Sequence, residues 1–148
     1  MPKIYQSQHC FYHPSQVYQL VNDIEQYPKF LPGCQNARIL TVEPESLSAE
    51  LSIVKGPIAF QFSTRNLLVE NQSIEMQLIA GPFSHLLGKW LFLPAEPGCN
   101  VSLTLEFTMK NKLLEMTAGP LFQKLTHDML TSFLKRAKEV YGTTIASH

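Results

Sequence analysis

The 148-residue chain is 45% hydrophobic and 16% charged, enough apolar material for one buried core and too much for a disordered tail. Twelve Lys and Arg balance twelve Asp and Glu, so the formal net charge is zero. That excludes a broad electrostatic grip on nucleic acid; no DNA binding is expected, and contact with RNA would have to rest on a local patch.

Residues Lys3 to Phe11 alternate loosely and predict a first strand. Pro14 then suits the first turn of a helix carrying Val17, Leu20, Val21 and Ile24 on one face. The run Tyr27 to Cys34 holds Pro28 and Pro32 and leaves room for at most one more helical turn. From there to about Asn111 the dominant period is two. Breaks at Pro44-Glu45-Ser46, Gly56-Pro57, Asn71-Gln72-Ser73 and Pro97-Gly98 divide this stretch into roughly six strands. Val101, Leu103, Leu105, Phe107 and Met109 alternate with Ser102, Thr104, Glu106 and Thr108, the pattern of an antiparallel strand with one covered face.

The last third changes period. Leu114, Ala118, Leu121, Leu125, Met129, Phe133 and Ala137 form an apolar stripe at helical spacing. Pro120 has no N–H for the carbonyl of Met116, so a kink or restart is expected there. A helix from about Pro120 to Tyr141 would run roughly 30 Å, enough to lie across a whole sheet. The order of elements predicts one α+β domain over 1–148, a curved antiparallel sheet of about seven strands closed around the C-terminal helix.

Recognisable chemistry is missing from the pattern. No GxSxG, HExxH, SxxK, GxGxxG or Walker loop is present. His127-Asp128 are neighbours on a helix and point about 100° apart, so they form no relay with each other. His9, His13, Ser84-His85 and the terminal His148 have no partner spacing of their own. Cys10, Cys34 and Cys99 lack CxxC or Cys/His metal spacing and predict buried free thiols in a reducing compartment. No metal, required cofactor or catalytic residue is expected. The start of the chain shows no signal or transit pattern and no apolar run near twenty residues, which predicts a cytoplasmic, bacterial protein.

The remaining signal is apolar. Phe30, Leu31, Phe60, Phe62, Met76, Leu78, Phe83, Leu86, Leu87, Trp90, Phe92, Phe107 and Met109 come from separate strands and loops, and Leu121, Leu125 and Met129 face them from the helix. Such a set is either a filled core or the wall of a ligand pocket, with methionines as adaptable lining. The segments Tyr27 to Cys34 and Gly81-Pro82-Phe83 are candidate rims of its mouth, each offering an aromatic to a ligand or a membrane surface.

The run Val21-Asn22-Asp23-Ile24-Glu25, then Tyr27-Pro28 and Phe30-Leu31-Pro32-Gly33-Cys34, closely resembles the START-like polyketide-cyclase/coenzyme Q-binding family. So do Thr64-Arg65-Asn66, Gly81-Pro82-Phe83 with Leu86, Gly88, Trp90 and Phe92, and Arg136-Ala137-Lys138-Glu139-Val140-Tyr141. The likeness covers nearly the whole chain in order and is greatest for the bacterial ribosome-association-toxin branch; Gly119-Pro120 departs from the continuous helix expected there. It implies a helix-grip (START/Bet v 1-like) fold and two non-enzymatic functions.

In the first, the cavity holds ubiquinone or a similar prenylated lipid and supports respiratory quinone use. The site would comprise Tyr27, Phe30, Leu31, Phe62, Met76, Leu78, Phe83, Leu87, Trp90, Phe92, Phe107, Leu121, Leu125 and Met129, with Arg38, Arg65, Tyr27 or Trp90 as donors to the headgroup. Transient contact with the inner membrane would accompany it. In the second, the protein binds the large ribosomal subunit and blocks subunit joining, with Lys124, Lys135, Arg136 and Lys138 as the candidate contact patch.

Overall fold

A computed structural model describes residues 3–142; His148 lies outside them. Strand β1 (Lys3–Cys10) leads into helix α1 (Pro14–Asn22) and a short 3-10 helix (Ile24–Lys29). Six strands follow: β2 (Cys34–Glu43), β3 (Ser46–Lys55), β4 (Ile58–Val69), β5 (Ser73–Ala80), β6 (Phe83–Pro94) and β7 (Cys99–Met109). Helices α2 (Lys112–His127) and α3 (Met129–Tyr141) complete the described chain. The strands form one antiparallel sheet in the order β1-β7-β6-β5-β4-β3-β2. Each expected break separates two strands, and the Gly81-Pro82 step supplies the one between β5 and β6.

Register shifts in β2, between Ser63 and Thr64, and between Phe83 and His85 bend the strands toward a concave face. Alternation then decides what faces inward. Leu103, Leu105 and Phe107 of β7, opposite Trp90, Gly88 and Leu86 of β6, are buried on that face. Gly81 has φ +145°, and an added Cβ there would lie 2.7 Å from Cβ of Phe62, so only glycine lets the β5–β6 turn fold back onto β4.

The C-terminal helix differs from its expected form. Helix α2 starts at Lys112, where Asn111 Oδ1 accepts from the Leu114 N–H at 2.9 Å, and continues through Pro120 without a break. The interruption falls at Asp128, between α2 and α3. Pro120 is exposed, so its ring projects toward solvent, and the helix forgoes the N–H bond to the Met116 carbonyl there. At the observed interruption the Thr126 hydroxyl donates to the Phe122 carbonyl at 3.0 Å and the Gln6 side chain donates to the His127 carbonyl. Side chains therefore compete for the carbonyls of that turn, a known cause of helix bending.

Two aromatic clusters join helices to sheet. Phe122 of α2 sits among Phe62, Phe83 and Phe107, with ring centroids 5.6, 4.8 and 4.9 Å away. Phe133 of α3 meets Tyr27, Phe30 and Trp90 at 5.1, 5.2 and 5.3 Å. Helix α1 is tied to α3 by Tyr141 Oη donating to the Gln16 carbonyl at 3.1 Å. Because Phe122 is 2% exposed and fills the space between sheet and helix, Phe122→Ala should lower unfolding free energy by about 3–5 kcal/mol. Urea denaturation measures this; a loss under about 1 kcal/mol would contradict the packing described.

Candidate functional site

Between the two aromatic clusters lies a cavity of about 50 Å³. Its walls are Ala49 and Leu51 of β3, Phe62, Thr64 and Asn66 of β4, Met76 of β5, Leu86, Gly88 and Trp90 of β6, and Leu105 of β7. Ile24 and Tyr27 close one end; Phe122, Thr126 and Met129 form the helical roof across the α2/α3 interruption. No Asp, Glu, His, Lys or Arg lines it.

The polar groups in this apolar shell are few and accounted for. The Thr64 hydroxyl donates to Asn66 Oδ1 at 2.8 Å, both residues being buried, which leaves the amide N–H₂ of Asn66 as the donor group of the pair. Tyr27 Oη donates to the Val21 carbonyl. Burial, helped by Cys34 and Asp23 nearby, pushes the Tyr27 phenol far above its ordinary range, so it stays a neutral donor. Gly88 makes room for Met76: an added Cβ would sit 2.5 Å from the Met76 methyl.

The structure divides the residues expected to bind ligand. Tyr27, Phe62, Met76, Trp90 and Met129 line the cavity. Leu31, Phe83, Phe92 and Phe107 are buried core outside its lining. Phe83 is 1% exposed, so the Gly81-Pro82-Phe83 rim offers no aromatic to a ligand or a membrane. Phe30 is half-buried beneath the guanidinium of Arg136, whose Cζ lies 5.4 Å from the ring centroid. Leu78 is half-buried beside Thr64 and lies outside the lining. Leu87 falls on the convex face because Leu86 and Gly88 take the inward positions of β6. Arg38 and Arg65 are exposed as well, Arg38 pairing with Glu50 at 3.0 Å, so neither reaches the interior.

Leu121 and Leu125 border a different space. With Pro32, Gly33, Ile53, Val54, Lys55, Lys124 and Asp128 they line a groove of about 280 Å³. One helical segment thus presents Phe122, Thr126 and Met129 to the cavity, and Leu121, Lys124, Leu125 and Asp128 to the groove.

Two of the four basic residues have acidic partners. Lys124 pairs with Asp128 at 3.1 Å, and Arg136 lies on Phe30 with Nη1 3.5 Å from Glu139. Lys135 and Lys138 are exposed three residues apart on one face of α3. Among the described residues, no three His, Cys, Asp or Glu side chains gather as metal ligands, and no helix is long and apolar enough to cross a membrane.

Sequence reading missed Phe122, Thr64 and Asn66. Thr64 and Asn66 continue the period-two face of Phe60 and Phe62, which is a legible signal. The stripe assigned in the sequence takes in Leu121, whereas the helix phase turns its neighbour Phe122 to the cavity.

A concave antiparallel sheet gripping a C-terminal helix around a small apolar cavity defines a helix-grip domain, the class of protein to which this chain belongs. The polyketide cyclase / dehydrase and lipid transport family matches residues 11–134, and the chain is a member of that family. It is 44% identical over 143 residues to the Ribosome association toxin RatA of Escherichia coli K12, covering 96% of this chain and 90% of the toxin. A more distant relative is the mitochondrial Coenzyme Q-binding protein COQ10 homolog B of Xenopus laevis, 25% identical over 132 residues, or 86% of this chain and 54% of that protein. The Zhui aromatase/cyclase of Streptomyces shares the fold, with TM-score 0.81, 14% identity and coverage of 97% and 99% of the two chains.

Removing the Asn66 side chain would leave the buried Thr64 hydroxyl without its acceptor. Asn66→Ala should therefore cost about 1–3 kcal/mol in thermal or urea unfolding. A neutral result would mean that water already satisfies the pair.

Proposed function

We propose that the chain binds an apolar ligand with a compact polar head, of the prenylated-quinone class, between the sheet and the C-terminal helices, and does no bond chemistry on it. The observation that carries this reading is the Thr64–Asn66 pair, a buried donor set in an uncharged, mostly apolar cavity whose other hydroxyls, Tyr27 and Thr126, donate to backbone carbonyls. A quinone carbonyl needs such a donor, and an isoprenoid tail needs the dry walls. The lipid-transport description of the family and the coenzyme Q-binding relative support the same ligand class. With no titratable acid or base on the cavity wall except the neutral, hydrogen-bonded Tyr27, proton-transfer catalysis has no agent there.

At about 50 Å³ the cavity has space for no more than a few waters, against roughly 300–1,000 Å³ for a drug-sized ligand. Binding therefore requires displacement of Met76, Met129 and the roof at the α2/α3 interruption. Unbranched methionines allow this at low cost. The groove across the helix gives the displaced ligand space to extend. The protein would work as a quinone carrier or chaperone in the cytoplasm, at the inner-membrane surface.

Ribosome association is a second reading, favoured by 44% identity to the toxin over nearly the whole chain. In this reading the exposed Lys135 and Lys138 would meet RNA phosphates, and such a footprint would be small and salt-sensitive.

Organic extraction of purified protein, read by mass spectrometry, tests the first reading. The expected result is a co-purifying ubiquinone that is lost in Gly88→Ala. That variant would put a Cβ 2.5 Å from the Met76 methyl and crowd the cavity wall, at a cost of about 1–3 kcal/mol of stability. Protein that extracts empty and takes up no added quinone would overturn the reading. For the second, Lys135→Glu/Lys138→Glu should abolish co-sedimentation with ribosomes at low salt and leave quinone retention intact. Unchanged sedimentation would remove those lysines from the contact.

A further inference from the structure

Two of the three cysteines are brought face to face by the register of the edge strand. Cys10 closes β1 and Cys99 opens β7, and the two are direct cross-strand partners. Their Sγ atoms are 3.5 Å apart, and they are 7% and 0% exposed. Opposed residues of antiparallel strands have Cα separations of about 4.5–5.5 Å, inside the range a disulfide spans, so side-chain rotation alone can close the gap.

The surroundings hold them there. His9 Nε2 lies 2.6 Å from the Pro97 carbonyl oxygen, tying β1 to the β6–β7 turn. An added Cβ on Gly98 would sit 2.0 Å from the Cys10 carbonyl oxygen, which shows how closely that turn packs on the end of β1. Nothing in the ligand cavity involves either thiol.

We propose that Cys10 and Cys99 form a reversible oxidation site that closes to an intrachain disulfide between β1 and β7 on exposure to a hydroperoxide. The chemistry divides between the two sulfurs. Cys10 is the sulfur on the solvent side of the pair, and the hydrogen bond between them holds its thiol below the ordinary range while the same contact raises Cys99. The Cys10 thiolate attacks one peroxide oxygen and the O–O bond breaks. With hydrogen peroxide this gives a sulfenic acid and hydroxide, which solvent protonates to water. The Cys99 sulfur then attacks the sulfenic sulfur, its proton passing to the departing hydroxide, to give the disulfide and a second water. Both thiols are oxidised and the peroxide is reduced by two electrons. Cys34 stands apart; its thiol is raised to about 11 by burial and it contacts the Asn36 carbonyl.

The test uses the full chain, treated with stoichiometric hydrogen peroxide at neutral pH, quenched by alkylation and mapped by non-reducing peptide mass spectrometry. The expected product has lost the mass of two hydrogens and contains one cross-linked peptide joining Cys10 to Cys99, reversed by dithiothreitol. Cys10 should react at least about tenfold faster than Cys34. Cys99→Ser should stop at a Cys10 sulfenic acid captured by a dimedone probe, and Cys34→Ser should form the disulfide as before. First oxidation at Cys34, intermolecular cross-linking, or Cys10 carried to sulfinic acid with Cys99 still free would each overturn the proposal.

Discussion

The structure depends on two phenyl rings set into a concave sheet from above. Phe122 of α2 stands among rings from β4, β6 and β7, and Phe133 of α3 among Trp90 of β6 and Tyr27 and Phe30 at the 3-10 helix. Between them the helix is interrupted at Asp128, and the space below that point is incompletely filled. Interiors otherwise pack to crystal density, so a void with a polar pair at its edge is a local exception. The cavity, its methionine walls and its helical roof all follow from the placement of these two rings.

That arrangement relates the fold to the proposed function. The edge-to-face packing of these rings buries large apolar area at each of them, so the roof is held at two points. Met76 and Met129 occupy the interval, and Gly88 gives the Met76 methyl its place. The uncharged wall suits a neutral ring and tail; ionised groups are confined to the outer faces, where Lys135 and Lys138 are exposed.

Much of this was legible in the sequence. The period-two alternation in 101–109 and the turn signals at Gly56-Pro57 and Asn71-Gln72-Ser73 mark strand faces and boundaries, because strand geometry is read residue by residue. The cavity was legible in part. Trp90, Met76 and Phe62 could be named because large apolar residues on an inward face have few other roles. Leu87 and Leu121 were misplaced for a different reason: each stands beside a residue that takes the inward position, and the choice between neighbours is made by bulges and by the helix phase. Pro120 illustrates the same limit. Propensity opposes a helix there, but the packing of Ala118, Phe122 and Leu125 against the sheet overrides it. Whether inward residues meet or leave a gap depends on curvature, which no single segment encodes.

The central claim is that a prenylated quinone occupies the space beneath the α2/α3 interruption. Methyl-resolved NMR, with the methionine methyls labelled and a short-chain ubiquinone titrated in, addresses it directly. The account predicts that Met76 and Met129 shift saturably together with the side-chain amide of Asn66, while the exposed Met116 stays unmoved. Shifts confined to Met116 and the surface, or none at all at saturating quinone, would contradict it.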